Sequence, residues 1–333
     1  VSGKANFIAI TPQLPQSQVS NDFPMLLNSG RIRDQWHSMT RTGKAATLSL
    51  HTIKPYLDIH PQDAEILKIQ NEQPVEITAK TGSALTLARI TDSVAKGQCF
   101  MPIHWSEEFA SNANVMKLYP GVVDPLSGQV ESKQTAINVK PVNYQFYGEL
   151  YLKSKANSKL LTEFWLTSKL TNSQFYQFAT NQNHQAIESQ LKAFSGIKGE
   201  WLSFQSADQK TFYFVGLDNG RLAAVIYISE QLVGDVKTWV DELFKEQVLS
   251  FEAIKALVNQ DDKQSCKQVC SCFKVNEADI IEEILAGSTS IDALGRKLNC
   301  GTNCGSCKPE LQALINQNKQ KDEEIIHLEL ASA

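Results

Sequence analysis

No apolar run in this sequence approaches the roughly 20 residues that a membrane-spanning helix needs. Charge of one sign is not in excess either: 32 Lys and Arg stand against 36 Asp and Glu, a formal charge of −4. That balance argues against a general nucleic-acid binder, local basic patches aside. No signal peptide opens the chain, which starts at Val1 without a methionine. The expectation is a fragment whose natural N-terminus, with any targeting signal, lies upstream. Cysteine is scarce and unevenly spread: of seven, six lie between Cys266 and Cys307. An odd, clustered set is unlike a disulfide framework, and C-x-C spacing is poor for an internal bridge. A reducing compartment with metal-bound thiolates fits better. What is present is ordinary globular material. The 333 residues, 42% apolar and 20% charged, suffice for two or three packed domains.

The cysteines form a C-x-C pair, Cys270 and Cys272, and a C-x2-C pair, Cys304 and Cys307. The intervening pattern is helical. Asn276 caps a helix from Glu277 to about Ala286, with Asp279 as its return acceptor and Gly287 as its stop. Ser290 caps a second helix through about Leu298, and Pro309 opens a third, Glu310 to about Asn316. Two thiolates per iron would satisfy a [2Fe–2S] cluster, and Gly301 and Gly305 let backbone N–H groups approach its sulfides. A structural zinc held by four thiolates is the alternative that spacing alone leaves open. Cys300 and Cys266 lie near but outside the pattern, Cys300 being the better alternative ligand.

Upstream, the chain reads as β-rich. Met25-Leu26-Leu27 is a short buried strand, Val75–Ala79 and Leu85–Ile90 alternate with period two about Thr81-Gly82-Ser83, and Cys99–Ile103 follows Gly97. His60-Pro61-Gln62-Asp63 opens a short helix through about Leu67. Cys99, alone among apolar neighbours, is a core thiol. Between the first strand and this set runs a polar segment, Asn28 to Lys44, dense in donors. Arg31, Arg33, Arg41 and Lys44 can pair with phosphates, Ser29, Ser38, Thr40 and Thr42 add hydroxyls, and Trp36 offers a flat face. Such a lining suits a large anionic heteroaromatic ligand; a solvated polar loop is the plainer reading. His37 and His104 lack a second ligand at helical spacing, so hydrogen bonding or stacking is expected of them rather than metal ligation. His51 and His60 read as polar surface or capping residues.

Several motifs occur in order: Ser29-Gly30-Arg31 with Trp36-His37-Ser38 and Thr40, then His60-Pro61-x-Asp63-Ala64, Pro102-x-His104-Trp105, Asn112-x-Asn114, Asp124-Pro125-x-Ser127-Gly128 and Lys133. Together they resemble the C-terminal molybdopterin-dinucleotide-binding domain of bacterial molybdenum oxidoreductases, assimilatory nitrate reductases in particular. The resemblance implies a double-psi β-barrel over about residues 20–142. It also implies contacts to molybdopterin guanine dinucleotide from Ser29, Gly30, Arg31, Gln35, Trp36, His37, Ser38, Thr40, Asn114 and Lys133. Where the family often has a Gly-Asp turn, this chain has Asn71-Glu72-Gln73-Pro74, expected to be a surface turn.

The middle carries no nucleophile–base set, glycine-rich phosphate loop or metal spacing. Asn143–Leu150 reads as a linker. A helix over 184–194 follows, then strands at Trp201–Phe204, Thr211–Val215 and Arg221–Ile228, the last two joined by an Asp218-Asn219-Gly220 turn. Helices at Val236–Phe244 and 251–258 complete a small α+β connector, with His184 on its surface.

The run Val269-Cys270-Ser271-Cys272-Phe273-x-Val275, with Gly301-x-x-Cys304-Gly305-Ser306-Cys307-x-Pro309-x-Leu311, resembles the [2Fe–2S] domain of bacterioferritin-associated ferredoxin. The ligands so implied are Cys270, Cys272, Cys304 and Cys307. The expected organisation is multidomain: a β-barrel domain over 1–145, an α+β connector over 146–260, a short helical [2Fe–2S] domain over 261–318 and a tail over 319–333. The two resemblances together imply the C-terminal part of a cytoplasmic assimilatory nitrate reductase, which reduces nitrate to nitrite by two electrons. Electrons would come from a reductase or ferredoxin. A Mo-bis-MGD site, a [4Fe–4S] cluster and the catalytic residues would belong to an N-terminal portion, so no catalytic residue is assigned and the chain alone is expected to be inactive. No membrane or nucleic-acid partner is implied. A formate-dehydrogenase-like molybdenum enzyme and a non-enzymatic iron–sulfur or zinc module are the competing classes.

Overall fold

The computed structural model describes residues 3–5, 7–156, 158–206, 208–245, 250–259 and 267–318. Cys266 and the tail from 319 onward therefore lie outside the described residues. Six strands close into a barrel: β1 Met25–Gly30, β2 Tyr56–Ile59, β3 Pro74–Ala79, β4 Gly82–Ile90, β5 Gln98–Pro102 and β6 Thr135–Pro141. Their order is β1-β5-β2-β4-β3-β6, with β6 returning to β1. β1 runs parallel to β5, and β2 parallel to β4. The alternation seen in the sequence points Leu27, Leu57, Ile59, Val75, Ile77, Leu87, Met101 and Ile137 into the barrel, all buried. Cys99 is in the core as expected, and burial pushes its thiol up to about 12.

The helix Pro61–Leu67 has His60 as its N-cap, whose Nδ1 accepts from the Gln62 N–H. Asp63 accepts the Gly97 N–H at 2.6 Å, tying that helix to the entry of β5. Glu72, expected on a surface turn, is instead half-buried at φ 63° and pairs with Lys54.

The linker expectation for Asn143–Leu150 is wrong. β7, Phe146–Leu152, is a central strand of a second, six-stranded antiparallel sheet in which every β7 residue is buried. The others are β8 Phe164–Lys169, β9 Gln174–Thr180, β10 Glu200–Gln205, β11 Thr211–Asp218 and β12 Arg221–Ser229, in the order β10-β11-β12-β7-β9-β8. β7 carries no period-two pattern because both its faces are covered. Leu150 packs beside Ile187 and Leu191 of the helix His184–Ser195, whereas Tyr147 and Tyr151 share an apolar core with barrel residues. Glu149, wholly buried in mid-strand, hid the apolar run further; Lys237 meets it at 2.9 Å. The Asp218-Asn219-Gly220 hairpin forms as expected, Asn219 and Gly220 both at positive φ.

This sheet is joined to the barrel, not strung from it. The Ser111 N–H donates to the Trp165 carbonyl and the Thr167 N–H to the Phe109 carbonyl, both at 2.8 Å, so β8 is extended by a barrel loop.

The third unit holds a two-stranded ribbon, β13 Gln268–Cys270 and β14 Val275–Asn276, with helices Glu277–Leu285, Ile291–Leu298 and 308–318. Asn276 and Asp279 form the expected capping box, and Ser290 accepts the Ala293 N–H. Val269, Ile280, Ile284, Leu294, Leu311 and Ile315 make its core. Among the described residues no helix is long and apolar enough to cross a membrane.

If β7 is a core strand, Leu150→Ala should cost about 2–5 kcal/mol, the usual toll of emptying a packed Leu site. A urea unfolding midpoint shows it; a linker residue would leave the midpoint unmoved.

Candidate functional site

The polar segment after β1 crosses over the barrel end, and its shape is set by one buried histidine. His104, fully buried, lies just past β5. Its Nε2 accepts the Ile32 N–H at 3.0 Å, so the proton sits on Nδ1, which donates to the His37 carbonyl at 2.6 Å. One neutral ring thus pins both ends of residues 32–37. Burial pushes His104 below its ordinary value, and the Arg31 charge adds to this against the His37 bond. Within the pinned stretch Asp34 and His37 take positive φ, 69° and 44°, and Met39 follows at 60°. Non-glycine residues rarely sit there, at a cost on the order of 1 kcal/mol each, and clustered outliers mark functional segments.

The predicted ligand-contacting residues divide into those brought together and those set apart. Ser29, buried at the end of β1, bonds the Tyr119 hydroxyl at 2.6 Å and donates to the Ser132 carbonyl at 2.7 Å. Lys133 donates from Nζ to the Ser29 carbonyl. Gly30 lies under Phe100, whose ring would stand 3.0 Å from an added Cβ. Ser29, Gly30 and Lys133 therefore form one corner. Arg31, Trp36 and His37 form a second cluster: the Arg31 guanidinium is 5.4 Å from the Trp36 ring centre, and Trp36 meets His37 edge-on at 4.5 Å. Trp36 is 56% exposed, a large flat face in water. Gln35 turns inward, donating to the Leu48 carbonyl at 3.2 Å, and its buried Oε1 has no partner. Ser38 and Thr40 are exposed.

Asn114 stands apart. It caps the short helix Val115–Leu118 by accepting the Met116 N–H, and its amide reaches Glu107 at 3.5 Å. Its link to the corner is indirect, through the turn that delivers Tyr119. Arg33, read as a phosphate donor, points away from the cluster: its Nη2 donates to the Val269 carbonyl at 2.8 Å. His51, read as surface or cap, is half-buried and pairs with Glu310 at 2.9 Å. Burial alone would raise Glu310, but the bond and charge of His51, with that of Arg33, hold its carboxyl below the usual range. Tyr119, Asp34 and Glu310 carried no local sequence signal, since their partners lie 90 to 259 residues away.

A polar ring of this kind fits an anionic, planar ligand. Trp36 can stack, Arg31 and Lys133 supply positive charge, and the orphaned Gln35 oxygen can accept a donor. A cavity of about 770 Å³ lies elsewhere, where Tyr56, Arg89, Trp239 and Gln268 meet. None of the predicted ligand-contacting residues lines it. Several of its charged groups are already engaged: Arg89 by Asp58, Lys54 by Glu72, Asp241 by Asn172 and Ser173.

The four expected cysteine ligands do converge, pairing across the two motifs. Cys272 Sγ is 3.3 Å from Cys304 Sγ on the exposed side. Cys270 and Cys307 are both buried and near enough to interact, with buried Cys300 close to both. The Ser306 hydroxyl and its backbone N–H lower the Cys304 thiol, whereas burial pushes Cys307 up to about 11. Gly301 and Gly305 sit at φ 77° and 72°, where a side chain would be strained, and wrap the second motif's backbone around the sulfurs. Among the described residues no three Cys, His, Asp or Glu side chains close on a single ion position. Thiols in two pairs suit two irons, two thiolates to each.

The comparisons with known proteins agree with this division. Residues 25–136 match the family described as molydopterin dinucleotide binding domain, and residues 268–317 the BFD-like [2Fe-2S] binding domain. The chain is 30% identical over 325 residues to a nitrate reductase of Klebsiella oxytoca, covering 94% of this chain and 36% of that protein. It is 27% identical over 359 residues to a nitrate reductase of Shewanella frigidimarina, covering 95% and 37%. An F420-dependent formate dehydrogenase subunit alpha of Methanocaldococcus jannaschii is 34% identical over 121 residues, 36% of this chain and 17% of that protein. The chain thus spans little more than a third of the two nitrate reductases.

Because His104 acts as a neutral clasp with a lowered native pKa, its stabilisation is complete above pH 6.5. It declines as pH falls from 6.5 through that lower value. Melting temperatures between pH 8 and 5 should show this acid-side decline. His104→Ala should flatten it and cost about 1–3 kcal/mol at neutral pH by stranding the Ile32 N–H and His37 carbonyl.

Proposed function

We propose that this chain, which joins a molydopterin dinucleotide binding domain to a BFD-like [2Fe-2S] binding domain, is the C-terminal part of a molybdenum-dependent assimilatory nitrate reductase. One observation carries the reading: the similarity to the Klebsiella nitrate reductase runs through 94% of this chain, connector sheet included. The formate dehydrogenase match covers only 36% of it.

When bound, a molybdenum–pterin centre supplies two-electron exchange with nitrate, and a [2Fe–2S] cluster supplies one-electron relay. The chain's own residues bind and orient. Arg31 and Lys133 neutralise the dinucleotide's phosphates, Trp36 stacks on a planar ring, and Ser29 and Gly30 set the floor on which they rest. His104 holds the segment in its binding shape. Cys270, Cys272, Cys304 and Cys307 hold the cluster, and the core around Val269 and Leu311 keeps water from its inner side. The external donor would be a reductase or ferredoxin in the cytoplasm. Residues contacting nitrate lie in the portion of such enzymes that this chain does not span.

Reconstitution with iron and sulfide should give a coloured chain with two irons and inorganic sulfide, and Cys272→Ser or Cys304→Ser should lower the iron content. A colourless chain holding one zinc would sink the cluster assignment. In the complete enzyme, Arg31→Ala with Lys133→Ala should reduce molybdenum content several-fold and leave the [2Fe–2S] spectrum intact; unchanged molybdenum would count against the dinucleotide site. The 333-residue chain alone should not oxidise reduced viologen with nitrate.

A further inference from the structure

Arg33 and Asp34 sit inside the segment that carries Arg31, Gln35 and Trp36, yet both side chains turn toward the cysteine module. Arg33 Nη2 donates to the Val269 carbonyl at 2.8 Å, and Asp34 Oδ2 accepts from Ser271 Oγ at 2.7 Å. These two bonds bracket Cys270. The Arg33 guanidinium also lies 3.3 Å from Asp34 and 3.6 Å from Glu310, so one cation links the C-x-C loop to the helix after Cys307. Both side chains are largely withdrawn from solvent, 15% and 12% exposed. Charged hydrogen bonds so placed are stronger and less screened than surface pairs. Two further bonds flank them: Gln268 Nε2 donates to the Thr47 carbonyl at 3.2 Å, and His51 meets Glu310. Asp34 reaches Ser271 from positive φ, a conformation the surroundings must impose.

We infer that Arg33 and Asp34 are positioning residues that hold the Cys270–Cys272 loop in fixed contact with the Ser29–Ser38 segment, so the cluster serves its acceptor from a docked position rather than by swinging on a tether. The identity of the two cofactors rests on the function proposed above; the docking rests on the contacts alone. A fixed contact gives the dinucleotide segment a hand in both sites. The same backbone that presents Arg31 and Trp36 to one ligand sets the surroundings of the other.

The test uses the whole 333-residue chain. In the chain reconstituted with iron and sulfide, the midpoint potential is followed by electron paramagnetic resonance. Asp34→Asn removes a negative charge beside the cluster, which eases uptake of an electron, so the potential should rise. Ser271→Ala should shift the potential less in the Asp34→Asn background than in the parent chain, because that bond has already lost its charge. Hydrogen exchange of residues 268–270 should speed up about tenfold or more in Arg33→Ala, and less in Arg33→Lys. Parent potential in Asp34→Asn together with parent exchange in Arg33→Ala would overturn the docked arrangement. The exchange arm works without iron. If the parent chain takes up no cluster, the proposed function fails while exchange still decides the docking.

Discussion

The parallel pairing of β1 with β5 is the constraint from which the rest follows. β5 lies between β1 and β2, so the chain leaving Gly30 cannot turn tightly into the next strand and must cross the end of β5 before β2 begins at Tyr56. That crossover is the polar segment. It is too hydrophilic to pack as a core element, so it is held by bonds instead, above all by the His104 ring between Ile32 and His37. Because β5 carries the chain directly to His104, the strand pairing that creates the crossover also delivers its clasp.

Once fixed, the segment has two sides with different tasks. Arg31, Trp36, His37 and Ser38 face water and are available to a ligand. Arg33 and Asp34 face the cysteine module, and Gln35 turns inward to the Leu48 carbonyl. Two adjacent side chains facing one neighbour, with the next turned away, require backbone angles that a helix or strand does not offer, which accounts for the left-handed residues at 34 and 37. The connector contributes rigidity. Its sheet is extended by residues 109–111 and shares the barrel's apolar core, so these two units meet through a packed surface.

Much of this was legible beforehand where the cause is local. The capping box at Asn276, the Ser290 cap, the Asn219-Gly220 turn and the alternating barrel strands each depend on a few neighbouring residues, and each forms as read. That Cys270, Cys272, Cys304 and Cys307 would lie close together was legible because two tight cysteine pairs flank short, well-capped helices. β7 was not, because burial on both faces replaces alternation with a run that contains Gly148 and Glu149 and so resembles a linker. Arg33 was misassigned for a related reason: an arginine in a donor-rich stretch looks like its neighbours, and only the approach of Val269 across the fold tells it apart.

The sequence by itself determined which chemistry the chain can host: thiolates enough for two irons, and guanidinium, amide and indole groups in a pattern suited to an anionic, planar ligand. These follow from side-chain type and short spacing, which no folding alters. The tertiary structure alone decided how those groups are shared out. It paired Cys272 with Cys304 rather than with Cys270, turned Arg33 toward the cysteine module while leaving Arg31 exposed, and made His104 a clasp. Each of those outcomes joins residues from 32 to 236 positions apart, and contacts at that range are set by packing and strand order, to which local sequence is blind.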